Sequence, residues 1–598
     1  MKKKKLSALI TLAIMLLLPM KSQTQSAMIN VTGRNTINLN GDWKIVIDPF
    51  DIGLGDWAAI YKDRKPKGKT DFVEYSFDLG PVLSVPGDFN SQMPELTYFE
   101  STIWYKRTFV YSPHEHGRLF LHFGAVNYIS DVFFNGNNLG RHEGGFTPFQ
   151  FELTDHIVEG ENTIIVRVNN ARRKDGIPGI GFDWFNYGGI TRDVTLIQTP
   201  EVFIEDYVLQ LDKQNTTQIK GYLKLNKAIP NREINLAIPE LMLQHKALTD
   251  TQGMAPISIK ASPERWSPEN PKLYTVQLIC GQDTIIDQIG FRTIEVKGTE
   301  ILLNGNPIFL KGVNIHEEIP QRRARACSLA DAMILLGWAS DLGCNFVRLA
   351  HYPHNEHTIR LAEKMGLMVW EEIPVYQGID FTDARMTGKM ELMLKEMIHR
   401  DRNRCNVIIW SIANETSASK ARDESLISLA EKARALDNTR LISAAFNNIR
   451  YAGNKITLAD TVMKYMDVVS INEYLGWYKE WPGIPGDMIW ESNFVKPLII
   501  TEFGGEALFN NEQGLPDVAS SWSEEYVEKI YQNQLKMFEN IPFLRGTCPW
   551  ILADFRSPGR MHPVYQKGWN RKGLLSDTGD RKKAWYVMRK FYGDLPAK

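Results

Sequence analysis

The spacing of apolar residues changes near residue 297, from short strand-like runs to strands that alternate with helices. Before this point, residues 104–110, 118–123 and 163–168 are rich in β-prone side chains. Residues 135–136 and 160–162 carry the Gly and Asn signals of hairpin turns. Short strands at such spacing are typical of β-sandwiches, so the N-terminal half predicts two of them.

Beyond residue 297, helical stripes lie between short, fully apolar runs. Ser328 and Asp331 have the form of a capping box, and Gly343 has the form of a helix stop. Residues 390–398 carry a second helical stripe. The apolar runs are residues 345–349, 367–370, 407–410, 467–471 and 498–500. Strands that are apolar on both faces belong in a parallel sheet covered by helices, and about eight such units predict a (β/α)₈ barrel.

The first 27 residues have the pattern of an export signal. Residues 2–5 are all lysine, and residues 6–18 form an apolar run. That run is shorter than the roughly 20 apolar residues of a membrane-spanning helix. We therefore expect an exported protein, periplasmic or secreted, that has no membrane anchor once the signal is removed.

Composition excludes several classes of partner and cofactor. Lys plus Arg (69) nearly balance Asp plus Glu (70), so no overall field would attract nucleic acid. The spacing of the five cysteines fits no metal site and no disulfide framework. We expect them to be buried and to pack as small hydrophobic side chains; they are Cys280, Cys327, Cys344, Cys405 and Cys548. The sequence shows no metal motif and no phosphate-binding glycine loop, so neither a metal nor a cofactor is expected.

Two carboxylates follow apolar runs at the places where a barrel keeps its active site, the C-terminal ends of its strands. Glu415 ends the run that begins at Val407, and Glu502 ends the run that begins at Leu498. By strand count these are strands four and seven. Facing carboxylates suit glycoside hydrolysis, and a separation of about 5–5.5 Å leads to retention of configuration. One of the two would donate a proton to the leaving oxygen, and the other would stay ionised and attack the anomeric carbon.

Longer motifs around these residues resemble glycoside hydrolase family 2. The resemblance implies that Glu415 is the acid/base and Glu502 the nucleophile. The matching segments are residues 183–190, 304–314, 348–353, 410–415 and 501–504. The resemblance implies a jelly-roll-like β-sandwich, then an immunoglobulin-like β-sandwich, then a catalytic (β/α)₈ TIM barrel. Together with the signal, the expected boundaries are 1–27, 28–200, 201–296 and 297–598.

Within that family, the motifs are most similar to those of bacterial β-glucuronidases. Asn570 and Lys572 resemble the Asn-x-Lys motif that holds the C6 carboxylate of the sugar. An ammonium group offers this carboxylate a compact charge and three donors. Gln566 stands where some of these enzymes carry an Arg near the carboxylate, which is a departure from the pattern.

The same resemblance implies six further residues that bind the sugar. Asn414 is expected at the 2-hydroxyl, Tyr474 beside the nucleophile and Trp550 beneath the ring. For each of them, a buried polar or packing role is the alternative. The full set is Asp183, His351, Asn414, Tyr474, Tyr478 and Trp550.

The sequence thus predicts a retaining, exo-acting hydrolase that releases terminal β-linked glucuronic acid from glycans or glycoconjugates. A β-galacturonidase or a β-galactosidase would use the same chemistry and remains an alternative. A non-catalytic carbohydrate-binding protein with two sandwiches and a degenerate barrel is the alternative from another class. A homo-oligomer is compatible with the sequence.

Overall fold

The computed structural model describes residues 26–112, 117–512 and 521–595, which form two β-sandwiches and a closed barrel. The predicted signal lies outside the described residues up to residue 25. Ala27 and Met28 are buried, and the Met28 N–H donates to the Gln150 side chain at 2.9 Å. Within these described ranges, no helix combines the length and the apolar character needed to cross a membrane.

The first sandwich packs a four-stranded antiparallel sheet against a six-stranded one. Its core contains buried aliphatic and aromatic side chains from both sheets, such as Trp43 of the six-stranded sheet and Leu121 of the four-stranded one. The four-stranded sheet consists of Thr36–Asn38, Val194–Pro200, Gly117–Phe123 and Phe149–Glu152. The six-stranded sheet consists of Val82–Val85, Gly41–Asp48, Thr102–Tyr111, Gly160–Asn169, Ile129–Phe134 and Asn137–Glu143.

The two turn predictions in this sandwich have different outcomes. Asn135 and Gly136 do join two paired strands, and both have positive φ (49° and 80°), as a type I′ hairpin turn requires. The prediction of a turn at residues 160–162 is wrong, because these residues begin the strand Gly160–Asn169. The Asn162 side chain bonds the backbone of Val158 in both directions (2.7 and 3.0 Å), so the chain turns before the strand.

The second sandwich has the three-plus-four strand arrangement of an immunoglobulin-like fold. Burial alternates along its strands, as expected where one face meets the core and the other meets solvent. One sheet consists of Ile204–Leu211, Gln218–Leu225 and Met254–Lys260. The other consists of Leu243–Leu248, Glu233–Ile238, Tyr274–Cys280 and Asp283–Ile289.

Eight parallel strands close into the predicted barrel, which confirms the fold expected from the sequence. They are β1 Leu310–Ile315, β2 Phe346–Leu349, β3 Met368–Glu372, β4 Val407–Asn414, β5 Leu441–Phe446, β6 Val469–Asn472, β7 Leu498–Glu502 and β8 Leu544–Thr547. The larger helices around them are α1 Leu329–Leu342, α2 Glu356–Met365, α3 Ala384–Asp401, α4 Lys420–Leu436, α5 Glu524–Phe538 and α6 Lys583–Asp594.

The capping box predicted for the first barrel helix is present. The Ser328 hydroxyl accepts from the Asp331 N–H at 3.2 Å, and the Asp331 carboxylate accepts from the Ser328 N–H at 3.1 Å. Gly343 ends α1 in the left-handed region, with φ 92°. A small sheet that the sequence did not reveal lies beside the barrel mouth, formed by Ile449–Ala452, Lys455–Leu458 and Ile489–Glu491.

The second sandwich fixes the start of β4, the strand that leads to Glu415. Just before this strand, Arg404 donates to Asp287 at 2.5 Å and Arg402 donates to Asp206 at 2.6 Å. Arg292 adds donor bonds to main-chain carbonyl groups at the same place, including that of Cys405 at 2.8 Å. Because these charged groups are buried, their pairing depends on correct docking of the second sandwich.

We predict that Asp287→Ala destabilises the protein strongly. Asp287 is buried and accepts bonds from Arg404, Arg360 (2.9 Å) and the Tyr207 hydroxyl (2.7 Å). Breaking a buried ion pair costs about 3–5 kcal/mol, because the remaining charge is left without a partner. Calorimetry should show an unfolding transition well below that of the wild type. Glu233→Ala, which removes an exposed pair with Lys246, is the control and should leave the transition in place.

Candidate active site

A cavity of about 380 Å³, here called the mouth cavity, opens where the barrel strands end. Nine of the ten residues predicted from the sequence line it: Asp183, His351, Glu415, Tyr474, Tyr478, Glu502, Trp550, Asn570 and Lys572. The tenth, Asn414, is buried next to Glu415 at the end of β4. The structure therefore brings together residues that lie almost 400 positions apart in the chain.

Glu415 directly follows β4 and is held by neutral groups. Its backbone has φ 52°, a left-handed conformation that costs a non-glycine residue about 1–2 kcal/mol. The Glu415 N–H donates to the Ala445 carbonyl at 2.9 Å, which fixes the turn. Its carboxylate oxygens accept from the side-chain amides of Gln377 and Asn472, each at 3.0 Å. Both of these donors are neutral amides.

Glu502, the last residue of β7, is held by a cation and a phenol. Arg348 donates to one carboxylate oxygen and the Tyr474 hydroxyl to the other, both at 2.8 Å. Burial raises the pKa of Glu502, the Arg348 charge opposes that rise, and the charge of Glu415 adds to it. The effect of Glu415 on this pKa indicates that the two carboxylates interact across the cavity. Both donors favour the ionised form of Glu502.

Arg348 on β2 is a central residue of the site that the sequence analysis did not single out. It is fully buried and donates twice to Glu372 (3.0 and 3.1 Å), and once each to Asn414 (2.8 Å) and Asn314 (3.1 Å). Burial alone would raise the pKa of Glu372, but Arg348 and His351 bring it down to about 2. A charged residue within an apolar barrel strand must be paired, and that was the available signal.

Asn414 and His351 are oriented by the same cluster. The Asn414 side-chain oxygen accepts from Arg348 and from Asn472 (3.1 Å), while its buried Nδ2 has no protein partner in the described chain. The His351 Nδ1 lies 2.7 Å from the Glu372 carboxylate. The His351 ring stacks on Trp550 with centroids 4.8 Å apart. Both polar side chains are therefore fixed beside the two carboxylates.

Lys572 and its partners form a polar group on another side of the cavity. The Lys572 ammonium donates to Glu506 at 2.9 Å and to the Tyr478 hydroxyl at 2.7 Å. The Asn570 side-chain oxygen accepts from the Lys572 N–H at 3.1 Å. Burial alone would raise the pKa of Glu506, but Lys572 and Arg560 bring it down to about 2. An ammonium group has three donors, so one remains for a ligand.

Arg560 is a second cation in the mouth cavity, and the sequence analysis missed it. It donates to the Tyr478 hydroxyl at 3.1 Å and to Glu506 at 3.2 Å, and it forms an ion pair with Asp183. Gln566, noted in the sequence for lacking a charge, donates instead to Glu506 at 2.8 Å. The loop around Arg560 contains Pro and Gly and has no periodicity, so no pattern marked this side chain. Other lining residues that were missed are Tyr376, Gln377, Asn447, Asn472, Glu473 and Lys479.

The first sandwich supplies Asp183 to the cavity. The Ser557 hydroxyl and Arg560 both donate to its carboxylate. The neighbouring Trp184 packs against His351 and Tyr376, with ring centroids 5.7 and 5.1 Å apart. The sandwich therefore completes the rim of the cavity and also contacts the aromatic groups beneath it.

The chain is similar to known glycoside hydrolases along most of its length. Models of three domains of glycosyl hydrolases family 2 match the chain: the sugar binding domain at 37–200, a domain described by the family name alone at 202–292, and the TIM barrel domain at 294–557. A β-glucuronidase of Paenibacillus borealis is 28% identical, over 94% of this chain and 97% of its own.

Solved structures of two such enzymes also superpose on this chain. A β-glucuronidase from an uncultured Clostridium sp. superposes with a TM-score of 0.81 and 26% identity, covering 96% of this chain and 100% of its own. A GH2 β-galacturonidase from Eisenbergiella tayi, bound to glycerol, superposes with a TM-score of 0.78 and 25% identity. That match covers 94% of this chain and 97% of the other.

We predict that Glu372→Gln lowers stability near neutral pH and much less in acid. The pKa of Glu372 is about 2 in the folded protein and near 4.3 in an unfolded chain. Its stabilising contribution is therefore complete above about pH 4.3 and is lost as the pH falls through 2. That shift corresponds to about 3 kcal/mol. Denaturant unfolding of the wild type and of Glu372→Gln between pH 7 and pH 3 measures the difference in their free energies of unfolding. A difference that stays constant across this range would contradict the low pKa of Glu372.

Proposed function

This chain belongs to glycosyl hydrolases family 2 and is a glycoside hydrolase; on that basis we propose that it releases terminal β-linked glucuronic acid from glycans or glycoconjugates. One observation carries the proposal: a single cavity combines the strand-end carboxylates Glu415 and Glu502 with the cations Lys572 and Arg560. The carboxylates account for hydrolysis, and the cations account for a charged sugar. The β-glucuronidases among the similar proteins support the same assignment.

In the proposed mechanism, the ionised Glu502 attacks the anomeric carbon while Glu415 donates its proton to the leaving glycosidic oxygen. The C–O bond to the aglycone breaks, and a sugar–Glu502 ester forms. Glu415 then removes a proton from a water molecule that attacks the same carbon and releases Glu502. Two inversions at one carbon retain the β configuration.

The hydrogen bonds of the site support these two roles. Arg348 and Tyr474 both donate to Glu502, which stabilises the charged nucleophile. Glu415 is held by two neutral amides, Gln377 and Asn472, which orient its carboxyl group in the cavity. The unpaired Nδ2 of Asn414 offers a donor for the 2-hydroxyl of the sugar.

Lys572, Arg560 and Asn570 favour a uronate over a neutral sugar in the mouth cavity. A charge pair at 4 Å is worth about 1 kcal/mol in water and about 4 kcal/mol at an effective dielectric of 20. A neutral hydroxymethyl group gains none of this energy. Glu506 and Asp183 orient the two cations and offset part of their charge, so the remaining donors set the strength of carboxylate binding.

A β-galacturonide is the second candidate substrate, because the chain also superposes on the Eisenbergiella tayi β-galacturonidase. The two sugars differ at C4 alone, and the same cations would hold the carboxylate of either one. We also propose that the protein acts outside the cytoplasm. The lysine and apolar segments in residues 2–18 support that location.

We predict that Glu502→Gln abolishes turnover of 4-nitrophenyl β-glucuronide and that Glu415→Gln acts selectively. Loss of general acid catalysis costs about 10²–10⁴-fold. The cost should be largest for methyl β-glucuronide and smallest for the nitrophenyl substrate, because nitrophenolate leaves without a proton. The values of kcat/KM on both substrates test this, because they report only the steps up to formation of the sugar–Glu502 ester. Equal losses on the two aglycones would show that Glu415 is not the acid.

We predict that Lys572→Ala reduces kcat/KM for uronides by about tenfold to a thousandfold, because it removes the charge interaction with the carboxylate. Rates on 4-nitrophenyl β-glucuronide, β-galacturonide and β-galactoside provide the measurement, and the β-galactoside rate should not fall. Lys479→Ala removes another lysine that lines the cavity and is the control. Equal losses on all three sugars would contradict carboxylate recognition, and a faster wild-type β-galacturonide rate would favour the second candidate.

A further inference from the structure

A second cavity, here called the outer cavity, has a volume of about 240 Å³ and lies outside the mouth cavity. No Asp or Glu is among its lining residues in the described part of the chain. Its basic residues are Arg322, Arg323, Arg556 and Lys567, and its aromatic residues are Tyr98, Phe185 and Trp569.

The two cavities lie on opposite faces of one two-stranded ribbon, formed by Phe555–Arg556 and Trp569–Asn570. Asn570 lines the mouth cavity, whereas its neighbour Trp569 lines the outer cavity. Arg556, which pairs with Trp569 across the ribbon, also lines the outer cavity. Successive side chains of a strand point to opposite faces, which explains the division. The ribbon is therefore a wall that the two cavities share.

The basic side chains of the outer cavity are mostly without acidic partners. Arg322 pairs with Asp331, but Arg323 and Lys567 have no carboxylate within salt-bridge distance among the described residues. The Arg556 guanidinium lies 3.5 Å from the centroid of the Phe185 ring. Behind it, burial raises the pKa of Glu318 to about 8, so this carboxyl group is mostly uncharged at neutral pH. The cavity therefore has a positive potential.

Two of these basic residues also have strained backbone. Arg323 has φ 53° and Lys567 has φ 50°, a left-handed conformation that is unfavourable for a non-glycine residue. Main-chain bonds hold both turns, from the Arg323 N–H to Pro320 (3.0 Å) and from the Lys567 N–H to His562 (3.1 Å). Strain of this kind occurs preferentially at binding and catalytic sites.

We propose that the outer cavity binds an anionic sugar unit, carrying a carboxylate or a sulfate, within the glycan whose terminal uronide enters the mouth cavity. Arginine side chains bind carboxylate and sulfate groups with paired donors. Tyr98 is 72% exposed, so part of its ring surface is accessible to a pyranose. The volume is below the roughly 300–1,000 Å³ of drug-sized ligand sites, as suits one or two sugar units. The statement that this glycan ends in a uronide rests on the proposed function, whereas the binding of an anionic sugar unit does not.

The test uses the full wild-type chain and an oligosaccharide with internal glucuronate units and a neutral sugar at its non-reducing end. This probe offers the mouth cavity no terminal uronide. Arg323→Glu combined with Lys567→Glu should weaken its binding, measured by calorimetry, by about tenfold or more. The charge-matched control, Lys260→Glu with Lys297→Glu, reverses two exposed lysines elsewhere and should not change it. Both double variants should hydrolyse 4-nitrophenyl β-glucuronide at the wild-type rate.

Binding of further oligosaccharides shows whether the outer cavity recognises a carboxylate or a sulfate. Stronger binding of the uronate probe than of a sulfated neutral oligosaccharide would assign the site to carboxylates, and the reverse to sulfates. Tyr98→Ala should weaken binding of either oligosaccharide. Equal binding of an uncharged oligosaccharide of the same length, or equal losses in both double variants, would overturn the proposal. Failure of the proposed function would appear separately, as absence of wild-type hydrolysis with binding retained.

Discussion

The barrel closes around a buried positive charge, the guanidinium of Arg348. Its donors reach Glu372 at the end of β3, Glu502 at the end of β7 and the side chain of Asn414 at the end of β4. Removing a guanidinium from water is costly unless every donor finds a partner. The strand ends must therefore meet in one arrangement, and that arrangement places the nucleophile candidate beside its cation.

The other domains complete the site from two directions. From the first sandwich, Asp183 pairs with Arg560, and Trp184 packs on the aromatic floor. From the second sandwich, Asp287 binds Arg404 immediately before β4 and so fixes the strand that ends next to Glu415. Since the Asp287–Arg404 pair is buried, a misplaced second sandwich would leave unpaired charges. The site depends in this way on docking as well as on the barrel.

The two faces of the ribbon that carries Asn570 line two different cavities. Its inner face, with Lys572 close by, forms the polar side of the mouth cavity, and its outer face contributes Arg556 and Trp569 to a basic cavity. Cations on both sides suit a substrate that bears negative charge beyond its terminal sugar. Strand alternation separates the two faces, so the two cavities share this ribbon as a common wall.

The sequence alone determined the barrel and the positions of Glu415 and Glu502, because apolar runs that end in a carboxylate are local patterns. It also indicated Asn570 and Lys572, through a short motif. Only the tertiary structure decided that Arg560 enters the mouth cavity, that Gln566 turns to Glu506 and that Arg348 joins the strand ends. Asp183 and Arg560 pair across 377 positions. Such partners are chosen by packing and charge compensation between distant segments, which no local spacing records.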